Sequence, residues 1–199
     1  MGYSTLIDVL GSAIIGGLLI MNLLRLNSTV VENETHFSHD KSAQIDVVLI
    51  ATLIDRDFNL MGYCGDHSQM STTNTYLIFG DSTSIRFLAD LDNNGSYDDV
   101  LYFLSDTSAL SHTPNPRDRI LYRQINSGTP QIIGNNITEF SLNYLDGLRN
   151  EITPPVVSNP NVNFVKVAFK VEDPFAYDDN YAQAVWRRLT VTTKNLVKQ

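Results

Sequence analysis

Oxygen-bearing side chains crowd into one short run, DLDNNGSYDD, from Asp90 to Asp99. Asp90, Asp92 and Asn94 stand at alternate positions, Gly95 follows where a sharp turn is needed, and Ser96, Asp98 and Asp99 bring further oxygens. Carboxylate and amide oxygens at first, third and fifth positions can converge on one hard cation, which is how EF-hand calcium loops begin. The twelfth position, where such a loop carries a bidentate glutamate, is Leu101, so the pattern is that of a partial calcium loop. The expected ligand set for Ca2+ is Asp90, Asp92, Asn94, Ser96, Asp98 and Asp99. The competing reading is a hairpin turn between SIRFLAD and VLYFL, since Asp, Asn and Gly are also the residues of tight turns.

Little else in the chain has the spacing of chemistry. There is no G-x-S-x-G elbow, H-E-x-x-H helix, P-loop or dinucleotide glycine fingerprint. Acidic pairs such as Asp55/Asp57 and Asp178/Asp179 could serve acid–base chemistry, but nothing in the sequence places them in one cleft, and loops are full of such pairs. Four histidines and one cysteine supply little for a zinc cluster. His36, His39 and Asp40 fall in a polar stretch and read as solvated, while Cys64 beside His67 reads as a packed thiol. Trp186-Arg187-Arg188 reads as a sheet residue flanked by surface charge. Asn27, Asn33, Asn94 and Asn136 each begin an N-x-[ST] sequon, which matters only where a glycosylating machinery exists. The formal net charge of −8 repels phosphates and argues against a nucleic-acid partner. The expectation is a protein that is not an enzyme.

The elements that carry these residues follow from patterning. Val9 to Leu24, VLGSAIIGGLLIMNLL, holds no charge; Asp8 precedes it and Arg25 closes it. Taken from Tyr3, the segment reaches about 22 residues, and a bilayer needs roughly 20 in a helix. A secretory signal peptide would carry Lys or Arg before its apolar core and a small-x-small site after it, and neither is present. The segment is therefore expected to stay with the protein. A polar stretch follows from Asn27 to Ser42. Then Val47, Ile50, Ile54, Phe58 and Met61 recur at three- and four-residue steps as one apolar stripe, with Asp46, Asp55, Arg56, Asp57 and Asn59 assigned largely to the other faces. Gly62 and Gly65 mark the stop.

From Thr75 the pattern is that of strands: TYLIFG, SIRFLADLD, DVLYFLSD, ILYRQI, PQIIGN, EFSLNYLDG, NFVKVAFKVED and AVWRRLTVTT. NEITPPVVSNPN and DPFAYDDNYAQ read as loops. The fold class is α+β, a long N-terminal helix, hydrophobic and then amphipathic, packed on a C-terminal antiparallel β-sheet head. Its parts are an apolar membrane or filament-core helix over 1–26, a polar hinge and amphipathic helix over 27–64, and the β head over 65–199.

Gly2, Tyr3, Thr5, Leu6, Ile7 and Asp8, opening an apolar helix that feeds a β head, resemble the N-terminal motif of type IV pilins and type II secretion pseudopilins: Gly, an aromatic residue, Thr-Leu-Ile-Glu, then an apolar helix. Counted from Gly2, Asp8 is sixth where the family's Glu is fifth. LIDRDFNLMGYCG, Leu53 to Gly65, resembles the DxRxAGYxG segment of the larger minor pilins, PilW-like or pseudopilin-J-like. ITEFSLNYLDG and RRLTVTTKNL are similar to that subfamily's late strands. The resemblance implies a pilin-like fold and a structural subunit that assembles through its N-terminal helix, with Gly2, Tyr3 and Asp8 as assembly residues. It implies homo-oligomers or other pilins as filament partners. It implies a location in the inner membrane before assembly, then in an extracellular filament, whose heads can serve adhesion, or in a periplasmic pseudopilus. The alternative is a membrane-anchored binding module whose β domain is stabilised by calcium.

Overall fold

The computed structural model describes residues 2–70, 76–158, 161–177 and 180–191. One helix, α1, runs over Gly2–Asn59. Among the described residues ten strands follow: β1 Leu77–Gly80, β2 Ser84–Ala89, β3 Asp98–Leu104, β4 Leu121–Ile125, β5 Gln131–Gly134, β6 Ile137–Leu145, β7 Glu151–Ile152, β8 Val156–Val157, β9 Phe164–Tyr177 and β10 Asn180–Val191. The chain divides into two compact units, residues 1–39 and 40–199.

The first unit is helix. Its large apolar side chains from Leu6 to Leu26 are each between 53% and 67% exposed, on every face, and α1 is long and apolar enough to cross a bilayer. The polar stretch after Arg25 continues the helix rather than breaking it. Its β-branched hydroxyls turn back onto the helix: Thr29 Oγ1 donates to the Arg25 carbonyl (3.0 Å) and Thr35 Oγ1 to the Val31 carbonyl (2.9 Å). This satisfies polar groups that would otherwise favour turns.

In the second unit α1 supplies one wall of the core. The stripe foreseen from spacing is the buried one: Val47, Ile50, Ile54, Phe58 and Met61 are 1–7% exposed, joined by Ala43 and Ala51. Two antiparallel sheets contribute to the same core, where the sequence pattern suggests one. The first is a meander extended by a late strand, in the order β5-β4-β3-β2-β1-β8; the second has the order β10-β9-β6-β7. Phe58 meets Phe87 and Tyr102 edge-on, with ring centroids 5.3 and 5.7 Å apart. Such aromatic contacts add about 1 kcal/mol each beyond the area they bury.

Both predicted late loops differ from expectation. NEITPPVVSNPN contains β7 and β8, and β8 pairs with β1 to extend the first sheet. DPFAYDDNYAQ is largely strand, because β9 continues to Tyr177 and β10 starts at Asn180. Pro174 cannot donate to a ladder, and it falls in the register shift where Asp173–Phe175 bulge between the Glu172–Gln183 and Ala176–Tyr181 pairs. Asp178 and Asp179 lie outside the described residues.

Candidate functional site

The Asp90–Asp99 turn joins β2 to β3, whose register closes on the Ala89–Asp98 pair. Asn93 and Gly95 adopt left-handed backbone (φ 58° and 85°), which lets the chain fold back on itself. Asp90 is buried, 1% exposed, and its carboxylate is the hub of the turn. Its Oδ2 accepts from the backbone N–H of Gly65 (2.8 Å) and Gly95 (2.9 Å), and its Oδ1 from that of Asn94 (3.0 Å). Burial pushes the Asp90 carboxyl up, but the backbone donors of Gly65, Gly95, Asn94 and Asn93 outweigh it and hold it below the usual carboxylate range. Asp90 is therefore an anion at neutral pH.

The structure brings three of the six expected ligands together. One carboxylate oxygen from each of Asp90, Asp92 and Asp98 lies within 4.8 Å of the others. Asn94 adjoins them, its Nδ2 donating to Asp92 Oδ2 (3.0 Å) and its Oδ1 accepting from the Ser96 N–H (2.8 Å). Asp98 is also held by the Leu91 N–H (3.1 Å) and by Asn126 Nδ2 (2.6 Å). Asp99 does not join the group. The side chains of consecutive strand residues point to opposite faces, so Asp99 turns away from Asp98 into a bidentate pair with Arg86 on β2. Three like charges so close repel one another, and either backbone donors or a cation must offset them.

The end of α1 positions this turn. Gly62 is left-handed (φ 76°), and a Cβ there would stand 2.4 Å from the Tyr76 ring. Gly65 has a second reason to be glycine: a Cβ would lie 2.7 Å from Asn93 Oδ1 and 3.2 Å from Asp90 Oδ2. Tyr63 adds its hydroxyl to Asn93 Oδ1 (2.8 Å), and its carbonyl accepts from the Asp90 N–H (2.9 Å). The Gly-Tyr-Cys-Gly run thus stops the helix and also forms one wall of the acidic turn. Cys64 is a free, fully buried thiol, as foreseen.

Two buried polar clusters were not anticipated. Asp57, which the helical pattern assigns to an outer face, is fully buried. Its Oδ2 accepts from Tyr102 Oη and from Arg123 Nε, each at 2.6 Å, and its Oδ1 from Arg56 (3.0 Å). Spacing held the signal, since Asp57 follows Ile54 by three residues on the apolar stripe. The partners, on β3 and β4, carried none. The second cluster fastens the segment before β4 to β9. Glu172 Oε2 accepts from Asn115 (3.1 Å) and Arg117 (2.7 Å), and Lys170 pairs with Glu172 Oε1 (3.1 Å) and with Glu139. Beside it Asp118 is 1% exposed, and among the described residues no hydrogen bond of good geometry reaches either of its oxygens. Burial pushes the Asp118 carboxyl up, and Glu172 and Asp173 add to this against the pull of Thr113 and Arg117.

The N-terminal candidates stand apart from these clusters. Gly2, Tyr3 and Asp8 lie in the first turns of α1, with Tyr3 88% exposed and Asp8 exposed. No family model, no curated protein and no solved structure matches the chain.

Proposed function

We propose that the chain is a structural subunit of a filament of the type IV pilus or type II secretion pseudopilus kind, assembling through the N-terminal part of α1. One observation carries this reading. From Leu6 to Leu26 the helix is apolar on every face and its large side chains are more than half exposed. Left in water, that surface forgoes on the order of 20 kcal/mol of burial. A bilayer first, then the apolar helices of neighbouring copies, supplies the missing cover. Gly11, Gly16 and Gly17 have open space around them, which lets backbones approach closely. The resemblance of the first eight residues to the pilin motif supports the same reading. In it the subunit waits in the inner membrane, and its head then faces outward from an extracellular or periplasmic filament.

Electron microscopy of material sheared from cells making the tagged full chain, with tag-specific immunolabel, tests this. Label along thin filaments is the expected result for a major subunit, and label at tips for a minor one. Label confined to membrane fragments would overturn the filament reading in favour of an anchored binding module.

We propose that in either case the acidic turn takes up a calcium ion through Asp90, Asp92 and Asp98, with Asn94 beside them; the support is the closeness of one carboxylate oxygen from each. Millimolar Ca2+ is expected to raise the melting temperature of the full chain in detergent, and a chelator to reverse the rise. Binding at one hundred times the dissociation constant adds about 2.7 kcal/mol, a shift of several degrees at this chain length. Asp92→Ala removes an exposed ligand that anchors little else, so it should abolish the calcium response with little change in the calcium-free melt. A calcium-dependent shift of wild-type size in Asp92→Ala would exclude the site.

A further inference from the structure

The cluster around Glu172 brings an amine and an amide to one buried carboxylate. Lys170 Nζ lies 3.1 Å from Glu172 Oε1, and Asn115 Nδ2 donates to Glu172 Oε2 (3.1 Å). Little water reaches them: Asn115 is 1% exposed, Glu172 3%, and the Lys170 side chain 16%. Glu172 also has a second cation, because Arg117 reaches the same Oε2 at 2.7 Å. One cation is enough to offset one buried carboxylate, so Lys170 can give up its charge and leave the pair with Arg117 intact. Its other partner, Glu139, is 68% exposed and is solvated without it.

An amine held beside a carboxamide, with a carboxyl group between them to carry protons, is set for amide exchange. We propose that Lys170 and Asn115 join in an intramolecular isopeptide bond, with Glu172 as the proton carrier. Glu172 takes a proton from the Lys170 ammonium, and the neutral amine attacks Asn115 Cγ. The Nζ–Cγ bond forms and the Cγ–Nδ2 bond breaks. Glu172 delivers its proton to Nδ2, which leaves as ammonia, and takes a second proton from Nζ as the new amide becomes neutral. The ammonia carries this second proton away as ammonium. Glu172 ends as the carboxylate it began as, and no oxidant, reductant or co-reactant takes part. Hydrogen bonds to Glu139 and then Glu172 outweigh burial and hold the Lys170 ammonium above its ordinary range. The free amine is therefore scarce, and linkage follows folding slowly. The bond ties the segment before β4, in the first sheet, to β9 in the second. It forms whether or not the chain builds filaments.

Mass spectrometry of the full chain, made in cells and purified in detergent, tests this. Digestion of the wild type should give a branched peptide joining Asn115 to Lys170, about 17 Da lighter than its two arms together, the mass of one ammonia. Lys170→Arg keeps the charge but offers no amine, and Asn115→Ala removes the carboxamide; neither should give the branched peptide. Glu172→Gln should slow its appearance about a hundredfold. Unlinked peptides alone, after days of incubation of the folded wild type, would overturn the bond and leave an ion-pair cluster. An ammonia loss equal in the wild type and Lys170→Arg would do the same, since it would arise elsewhere in the chain. Linkage in Glu172→Gln at the wild-type rate would overturn Glu172 as the proton carrier.

Discussion

Asp57→Ala is expected to lower the thermal midpoint of the full chain by roughly 6–20 °C, the shift that 3–5 kcal/mol produces at this size. Arg123 is 8% exposed at its side chain and has Asp57 as its ion-pair partner. With the carboxylate gone, a guanidinium stays buried without compensation and the Tyr102 hydroxyl loses its acceptor. Burial, then the Asp57 charge, pushes the Tyr102 phenol well above its ordinary range, so it remains a donor throughout neutral pH. The three residues belong to α1, β3 and β4, so the loss also loosens the seat of the helix on the first sheet. Arg56 provides the control. Its side chain is 58% exposed, and Arg56→Ala should cost less than about 1 kcal/mol, as surface pairs do. Melting curves of the two variants in one detergent decide the matter; an Asp57→Ala midpoint within about 2 °C of wild type would remove the network from the fold's essential contacts.

Asp8→Ala is expected to leave membrane insertion intact and to reduce filament yield about a hundredfold, the factor that corresponds to ~3 kcal/mol. Packing between apolar helices is non-directional and sets no axial register by itself. A single polar group at an otherwise apolar interface does set register, because misalignment leaves it buried and unpaired. Asp8 is the one charged residue between Gly2 and Leu24, and its exposed position in α1 leaves it available to a neighbouring copy. In the resembled family the partner is that copy's N-terminal amine. Asp8→Glu keeps the charge and should assemble. Filaments of normal number and length in Asp8→Ala would show that the carboxylate has no part in assembly, and counting labelled filaments per cell measures this directly.

Much of the architecture was legible because it rests on periodicity. A period of 3.6 residues marked Val47, Ile50, Ile54, Phe58 and Met61, and all five are buried. Runs of aromatic and branched residues marked the strands, and where they alternate, as at Ile85, Phe87 and Ala89 of β2, the inward residues are fully buried. Where register slips, the period fails. In β6 the buried positions pass from Ile137 to Phe140, Leu142 and Tyr144 across a bulge, a change of phase that alternation cannot foresee. Pro174 likewise disguised a strand as a loop, since only the paired register shows that its missing N–H sits in a bulge.

The acidic turn was legible as a cluster of oxygens but not in its membership. Asp98 and Asp99 are identical in the sequence, and the pleat alone sends one into the cluster and the other to Arg86. The Gly65 and Asp90 contact joins residues 25 apart in the chain, so no local pattern encodes it.

By itself the sequence determined the properties that short stretches carry. These are an uncharged apolar helix that needs cover, an amphipathic stripe that needs a sheet, turn chemistry at glycine and asparagine, and a net charge unsuited to nucleic acid. Hydropathy and backbone preference are local, so a local reading finds them. Only the tertiary structure decided that two sheets share the core and that Asp57 is buried against Arg123. These depend on which distant residues meet, and a charge takes its role from what surrounds it once water is excluded.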